Sequence, residues 1–374
     1  MNLKNLLSTI LFSCALSSTF LTSAQTINPV ERPAVPFLQI SPDARTAAMG
    51  ETGAATSPDV NALSSNPSKL AFITDGYGFS IAYSPWLKSL VPDMYLSYLS
   101  GFYKLSDRNT IGASLRYFSM GEIQLTDAGQ QSLGAFRPND FAIDATMARR
   151  FGESFSLGGS LRYIQSGVTA APTYTGQSGK PATAFAIDFS AYYQQKSQLF
   201  NKPAKLSAGL YIANIGTKMV YTAGDLPYFL PANVKLGVAS TFGWMQESQF
   251  TVAFDLNKQL LPTTSTDMMR QDISVSSALF SSFSDAPGGF MEELMEVNMA
   301  GGLEYLHKQQ FALRAGYFYQ NPKKGSYSYF TAGLGFQYQF INIDLAYLIA
   351  NQQKNPLGST LRFTLLFNFG KALH

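Results

Sequence analysis

The chain has 374 residues, a formal net charge of +3 and only 14% charged residues, about half the roughly 25% of a typical soluble domain. Beyond the N-terminal stretch no run of about 20 apolar residues occurs, which excludes a bundle of membrane helices. A balance near zero without a basic run argues against nucleic acid as a partner. With 29 Phe and 20 Tyr against 2 Trp, the composition leaves a large β protein with an aromatic, weakly charged exterior.

Residues 1–24 read as a secretory signal: Lys4 supplies the positive end, Leu6 to Leu16 the apolar core, and Thr22-Ser23-Ala24 a small-residue cleavage site. The single cysteine, Cys14, lies inside it. A lipoprotein box over Leu11-Phe12-Ser13-Cys14 is the alternative, but Phe12 is bulky for such a site. Cleavage after Ala24 leaves no thiol for disulfides or metal ligation. Residues 25–75 are rich in Pro, Ala, Ser and Asn and lack sustained alternation. They are expected to form either a tail or a folded hatch on the periplasmic side. The motif-like content favours the hatch, with Gly50 and Gly53 suited to tight turns and Asn66-Pro67 to turn initiation.

From Gly76 onward, apolar and small or polar residues alternate in stretches of about ten, the pattern of strands with two unlike faces. Fourteen segments are expected, near 76–85, 94–104, 109–118, 139–149, 155–164, 183–194, 205–215, 232–242, 249–257, 297–306, 310–319, 327–339, 341–350 and 359–369. Within them Arg116, Asp144, Arg162, Asp188, Lys205, Lys235, Asp255, Glu304, Arg314, Asp344 and Arg362 all take the phase opposite the large apolar residues. The polar phase is otherwise Gly, Ala and Ser, too sparse in charge for the outside of a soluble sandwich or barrel. It suits the inside of a transmembrane barrel whose greasy face meets lipid between aromatic girdles.

The connections alternate. Short ones fall at 105–108, 151–153 and 307–309, long ones near 119–138, 165–182, 216–231 and 258–296. Short periplasmic turns, longer outer loops and an even strand count belong to outer-membrane barrels. The expectation is an all-β protein: a fourteen-stranded antiparallel transmembrane β-barrel over 76–374 with an N-terminal hatch.

Several motifs carry a family resemblance. Asp43-Ala-Arg45 with Ala-Ala-Met49-Gly50, then Gly53-Ala-Ala, Ser57-Pro-Asp-Val-Asn61 and Asn66-Pro67-Ser-Lys69, resemble the hatch of the PorV/PorQ branch of FadL-like outer-membrane proteins. The run from Ser114 to Glu122-Ile123, then Thr126-Asp127, Gly134, Arg137 through Asp144, Leu161 through Ser166, Asn214-Ile-Gly216 and Leu226 through Asn233, is similar to the PorV family of the type IX secretion system. Two mild departures are Ser68-Lys69, where broader FadL relatives tend to carry Ala-Gly, and the weakly aromatic Met147-Ala-Arg149. The resemblance implies a FadL-like barrel in the cell outer membrane that binds a giant SprA-like translocon. It also implies that the barrel accepts clients bearing a C-terminal signal domain and passes them to a PorU-like sortase, for attachment to lipopolysaccharide at the surface.

Catalysis has little to build on. His307 and His374 are the only histidines, and neither stands near a nucleophile in sequence. No cofactor motif, paired histidine or Asp-rich calcium loop is present, and Gly333-Leu-Gly335 reads as strand glycines. The 258–296 loop is more informative. It carries Met268, Met269, Phe280, Phe283, Phe290, Met291, Leu294 and Met295, too apolar for a disordered segment. A short helix is expected over 289–297. The loop residues either fold back as a lid or form a docking surface for proteins, to which flexible Met is suited. Trp86, at the first outer turn, is expected to anchor at the interface or join that surface. A FadL-type channel for fatty acids or other hydrophobic compounds shares the same hatch and barrel, and is the competing expectation. A general porin fits less well, since a plugged lumen should conduct little.

Overall fold

The computed structural model describes residues 32–371, apart from 87–92, 127–128, 171–178, 200, 223, 225, 246, 264–272, 326 and 351–359. The expected leader with Cys14, together with Met268 and Met269, lies outside the described residues. In chain order the strands are β1 (Asp75–Pro85), β2 (Met94–Lys104), β3 (Asn109–Met120), β4 (Ile123–Thr126), β5 (Ser132–Phe136), β6 (Asn139–Phe151), β7 (Phe155–Ser166) and β8 (Ala182–Leu199). There follow β9 (Lys202–Gly216), β10 (Asn233–Met245), β11 (Ser248–Gln259), β12 (Val297–His307), β13 (Phe311–Tyr319), β14 (Ser328–Tyr338), β15 (Ile341–Ala350) and β16 (Leu361–Lys371).

All but β4 and β5 close into one fourteen-stranded antiparallel barrel. The seam is β1 against β16, with Tyr77 opposite Phe369 and Tyr83 opposite Phe363, so no edge stays unpaired. All fourteen expected segments are present. β8 and β9 run further than the alternation suggested, to Leu199 and from Lys202. The extension of β8 carries Gln195, Lys196 and Gln198, side chains suited to water rather than lipid. The β4–β5 hairpin in the 119–138 loop was not anticipated, being only four and five residues long.

The two faces divide as the phase requires. Tyr77, Phe79, Ile81 and Tyr83 are 39–50% exposed on the outside, while Ser80, Ala82 and Ser84 are almost completely buried. Of the eleven strand ions, Arg116, Asp144, Arg162, Asp188, Asp255, Glu304, Asp344 and Arg362 are buried within, and Lys205, Lys235 and Arg314 are half-buried. An eleven-residue strand such as β1, rising about 3.3 Å per residue with a tilt of about 40°, covers about 28 Å, enough for the apolar band of such a barrel.

Residues 32–74 pack inside the barrel. A 3-10 turn (Pro36–Gln39) leads to α1 (Ala44–Ala48), then α2 (Ala62–Ser65) and a second 3-10 turn (Pro67–Phe72). Asp43 caps α1 by accepting from the Thr46 amide at 2.8 Å, and Asn66 caps the last turn through the Ser68 amide. Helices of four or five residues are unstable alone, so packing against the wall must hold them. Ala44, Ala47 and Ala48 pack on Tyr329, Ala346 and Leu348, while Leu63 and Leu70 pack with Phe102 and Ala148. Strand glycines give the hatch its seat. A Cβ at Gly302 would stand 2.5 Å from the Met49 carbonyl oxygen, and one at Gly158 2.7 Å from the Ser68 nitrogen. At Gly316 and Gly333 it would collide with Gly50 and Ala48.

Candidate functional site

The hatch motif residues make the ties that hold the plug. Arg45 forks onto Glu304 of β12 through its Nε and Nη2, at 2.9 and 2.8 Å, and also reaches Asp59 at 2.8 Å. Glu304 in turn accepts from Arg314, which bridges to Asp344 at 2.6 Å. Gly50, at φ +68, lies against β13 and donates to Thr331 Oγ1 at 3.0 Å. Met49 is fully buried beside Ala55, Ala239 and Ala253. Asn66 donates to Ala54 and Ala191 carbonyls, and Pro67 starts the turn that carries Ser68 to Ser190. Asp255 accepts the Gly53 and Ala54 amides at 2.8 and 2.9 Å. Buried Lys69 donates to the Gly53 carbonyl at 2.6 Å, and burial in the hatch pulls its ammonium down to about 8. Ser68-Lys69, the departure from the broader pattern, is therefore internal bracing.

A second ion cluster sits on the opposite wall. Arg162 bridges Asp144 and Asp188 and donates to Asn214 Oδ1. Tyr211 and the Asn214 backbone amide also donate to Asp188. Asn214 reaches this position through a bulge between β8 and β9, where its φ is +60. Asn is among the few residues that tolerate that conformation.

The long outer connection contains α3 (Val275–Ser281) and α4 (Phe290–Met295). The one helix expected here is α4, shortened at both ends, with Gly289 at φ +69 before it, and α3 was not anticipated. Its orientation is inverted relative to a packed surface helix. Glu292, Glu293 and Glu296 point to the barrel, where Lys258 bonds Glu293 and Glu296 at 2.8 and 2.7 Å and Lys324 bonds Glu292 and Glu296 at 2.6 and 2.9 Å. Phe290 is 74% and Met291 65% exposed, Leu294 and Phe283 about half, and Phe280 is 79% exposed on α3. Met295 is half-buried. Underneath, Leu261, Ala278 and Phe229 form a small core. The loop thus folds back onto the barrel and still presents an apolar outer face.

Trp86 departs from expectation. It is 8% exposed and turned into the lumen, edge-on to Phe118, so it neither anchors in the interface nor joins the apolar face. Its phase explains this, since it continues the inward series Ser80, Ala82, Ser84. Lys258, Lys324 and the glutamates of α4 were missed as functional residues. The signal was available in the acidic cluster of Glu292, Glu293 and Glu296. His307 lies closer to a nucleophile than its sequence setting suggested, with Nδ1 3.0 Å from Ser248 Oγ. No carboxylate orients the imidazole among the described residues.

Comparison with known proteins fits this architecture. The profile of the family described as Type IX secretion system protein PorV matches residues 23–266, well over half of the chain. The chain belongs to the PorV family. Among solved structures, the Pseudomonas putida toluene transporter TodX matches with a TM-score of 0.50 at 13% identity, covering 88% of this chain and 98% of its own. A Pseudomonas aeruginosa FadL homologue matches with a TM-score of 0.47 at 10% identity, covering 91% and 100%. At such identities the likeness concerns the fold alone. No curated protein matches the sequence. The PorV-family chain described here is an outer-membrane β-barrel and a component of type IX secretion.

Proposed function

We propose that this PorV-family barrel works by binding rather than by catalysis. It docks on a giant SprA-like translocon, accepts clients carrying a C-terminal signal domain and hands them to a PorU-like attachment complex. The observation that carries this is α4, whose acids are tied to the barrel by Lys258 and Lys324 while Phe290, Met291 and Leu294 face outward. An exposed apolar patch of this kind is unfavourable in water and suits a protein surface or client. The hatch, fixed by Arg45, Asp255 and the strand glycines, blocks passage through the lumen, so the outer loops are the natural contact surface. The domain reading is a cleaved leader over 1–24, a hatch over 25–75 and a barrel over 76–374.

The second reading is a channel for fatty acids or other hydrophobic compounds, favoured by the barrel-and-hatch fold and by Phe37 and Leu38 lining the lumen above the hatch. A clean deletion separates the two. Signal-bearing clients should stay unsecreted or unattached, while uptake of a labelled hydrophobic compound continues. Normal secretion with abolished uptake would establish the channel instead.

A further inference from the structure

Above the hatch, in the outer half of the lumen, lies a cavity of about 440 Å³, within the range of small-molecule sites. Its wall has two chemistries. Trp86 and Phe118 line one side and Asn233, Asn257, Gln259 and Asn298 the other, flanked by Phe318 and Tyr329, with Phe37 and Leu38 of the hatch beneath. Strand register explains the second group. Asn233 opposes Gln259 across β10 and β11, and Asn257 opposes Asn298 across β11 and β12. The amides therefore form a patch over three adjacent strands, all pointing inward.

Within the patch Asn233 donates to Asn257 Oδ1 at 2.9 Å, and hydrogen-bonding capacity remains beside that pair. Asn298 is 6% exposed, and its Oδ1 has no partner among the described residues. The same holds for Oδ1 of Asp255 and Nε of Arg362, both 1% exposed and both lining the cavity. Such buried atoms call for a ligand or ordered water. Each ion around the cavity has at least one partner, Lys235 through the Glu51 carbonyl at 3.4 Å. Arg162 pairs with Asp144 and Asp188, Arg362 with Glu51, and Asp255 with two hatch amides. Arg116 donates to the Leu38 carbonyl and sits over the Tyr98 ring. The open atoms are thus two acceptors, on Asn298 and Asp255, and one donor, on Arg362, a mixed set that the hydroxyls of a neutral ligand serve by donating and accepting.

We infer that the outer lumen cavity binds a neutral saccharide of one or two rings, hydroxyls on the Asn257–Asn298 patch and a C–H face against the aromatic wall. An acyl chain would leave these three buried atoms unpaired, at a cost in binding. This inference is independent of the docking reading, which concerns the outside of the loop.

Trp86 supplies the readout. The chain has 2 Trp, so Trp244→Phe leaves Trp86 as the sole tryptophan. The full-length protein, purified in an amine-oxide detergent free of sugar, is titrated with maltose, cellobiose and mannobiose. At least one should give a saturable change in Trp86 emission, weakened about tenfold or more by Asn257→Leu or Asn298→Leu. Both variants should retain the heat-modifiable migration of a folded barrel, and Gln249→Leu, below the hatch, should bind as the parent does. No saturable response to any of the three sugars overturns the proposal. So does a response unchanged in both folded Asn variants, or one given only by decanoate or tetra-alanine.

Discussion

Arg45 of the hatch and Glu304 of β12, 259 positions apart, face each other in a two-point ion pair of 2.8 and 2.9 Å. The same carboxylate also serves Arg314, so one barrel residue joins the plug to the wall and the wall to itself. Breaking a buried pair leaves an uncompensated charge and costs about 3–5 kcal/mol. Glu304→Gln should therefore loosen the hatch and leave the barrel closed. Hydrogen exchange over residues 43–59 should accelerate while the barrel keeps its heat-modifiable mobility. Unchanged exchange there would show that the pair does not hold the plug.

Gly301 and Gly302 are neighbours on β12 with opposite surroundings. A Cβ at Gly301 meets nothing within 4 Å, whereas one at Gly302 meets the Met49 carbonyl and Thr52 Oγ1, both at 2.5 Å. Gly302→Ala should destabilise by about 1–3 kcal/mol, as overpacking does, and expose the hatch to protease. Gly301→Ala should be close to neutral. Thermal melting of the two variants, with proteolysis of the hatch, makes the comparison.

The clip beneath α4 should respond to acid. Hydrogen bonding to Lys324 holds the Glu292 carboxyl below its usual value, and the Lys324 ammonium lies above its own. A carboxylate depressed in the folded loop contributes stability above its unfolded value and loses it as the pH falls through the folded one. The lysine's contribution is lost only on the alkaline side, as the pH rises through its raised value. Exchange protection of residues 290–296 should hold from neutrality into mild acid and fall below the ordinary carboxylate range. Glu292→Gln should remove that part of the acid sensitivity.

The strands were legible because lipid imposes a strict rule at every second position, and the ions obey it from Arg116 to Arg362. Their outer ends followed the same phase, which would have placed Trp86 inside. What the alternation could not show was the seat of the hatch. Gly302, Gly316 and Gly333 look like any small lumen residues until Met49, Gly50 and Ala48 are placed against them. The pairing of Arg45 with Glu304 and of Lys258 with the α4 acids likewise depends on distant segments meeting, which no local pattern encodes. Motif content pointed to a folded hatch at 43–69, though not to the individual bonds that fix it.

The apolar face of α4 can be removed without touching the clip. Phe290, Met291 and Leu294 are exposed, so changing all three to Ser should alter barrel stability little, each within about 0.5 kcal/mol as for surface sites generally. The decisive measurement is secretion of signal-bearing clients, with co-purification of the giant translocon barrel, in cells whose chromosomal copy carries this triple change. Docking through α4 predicts that the folded, membrane-inserted variant no longer retains the partner and that clients accumulate in the periplasm. Full secretion and undiminished co-purification by that variant would contradict it.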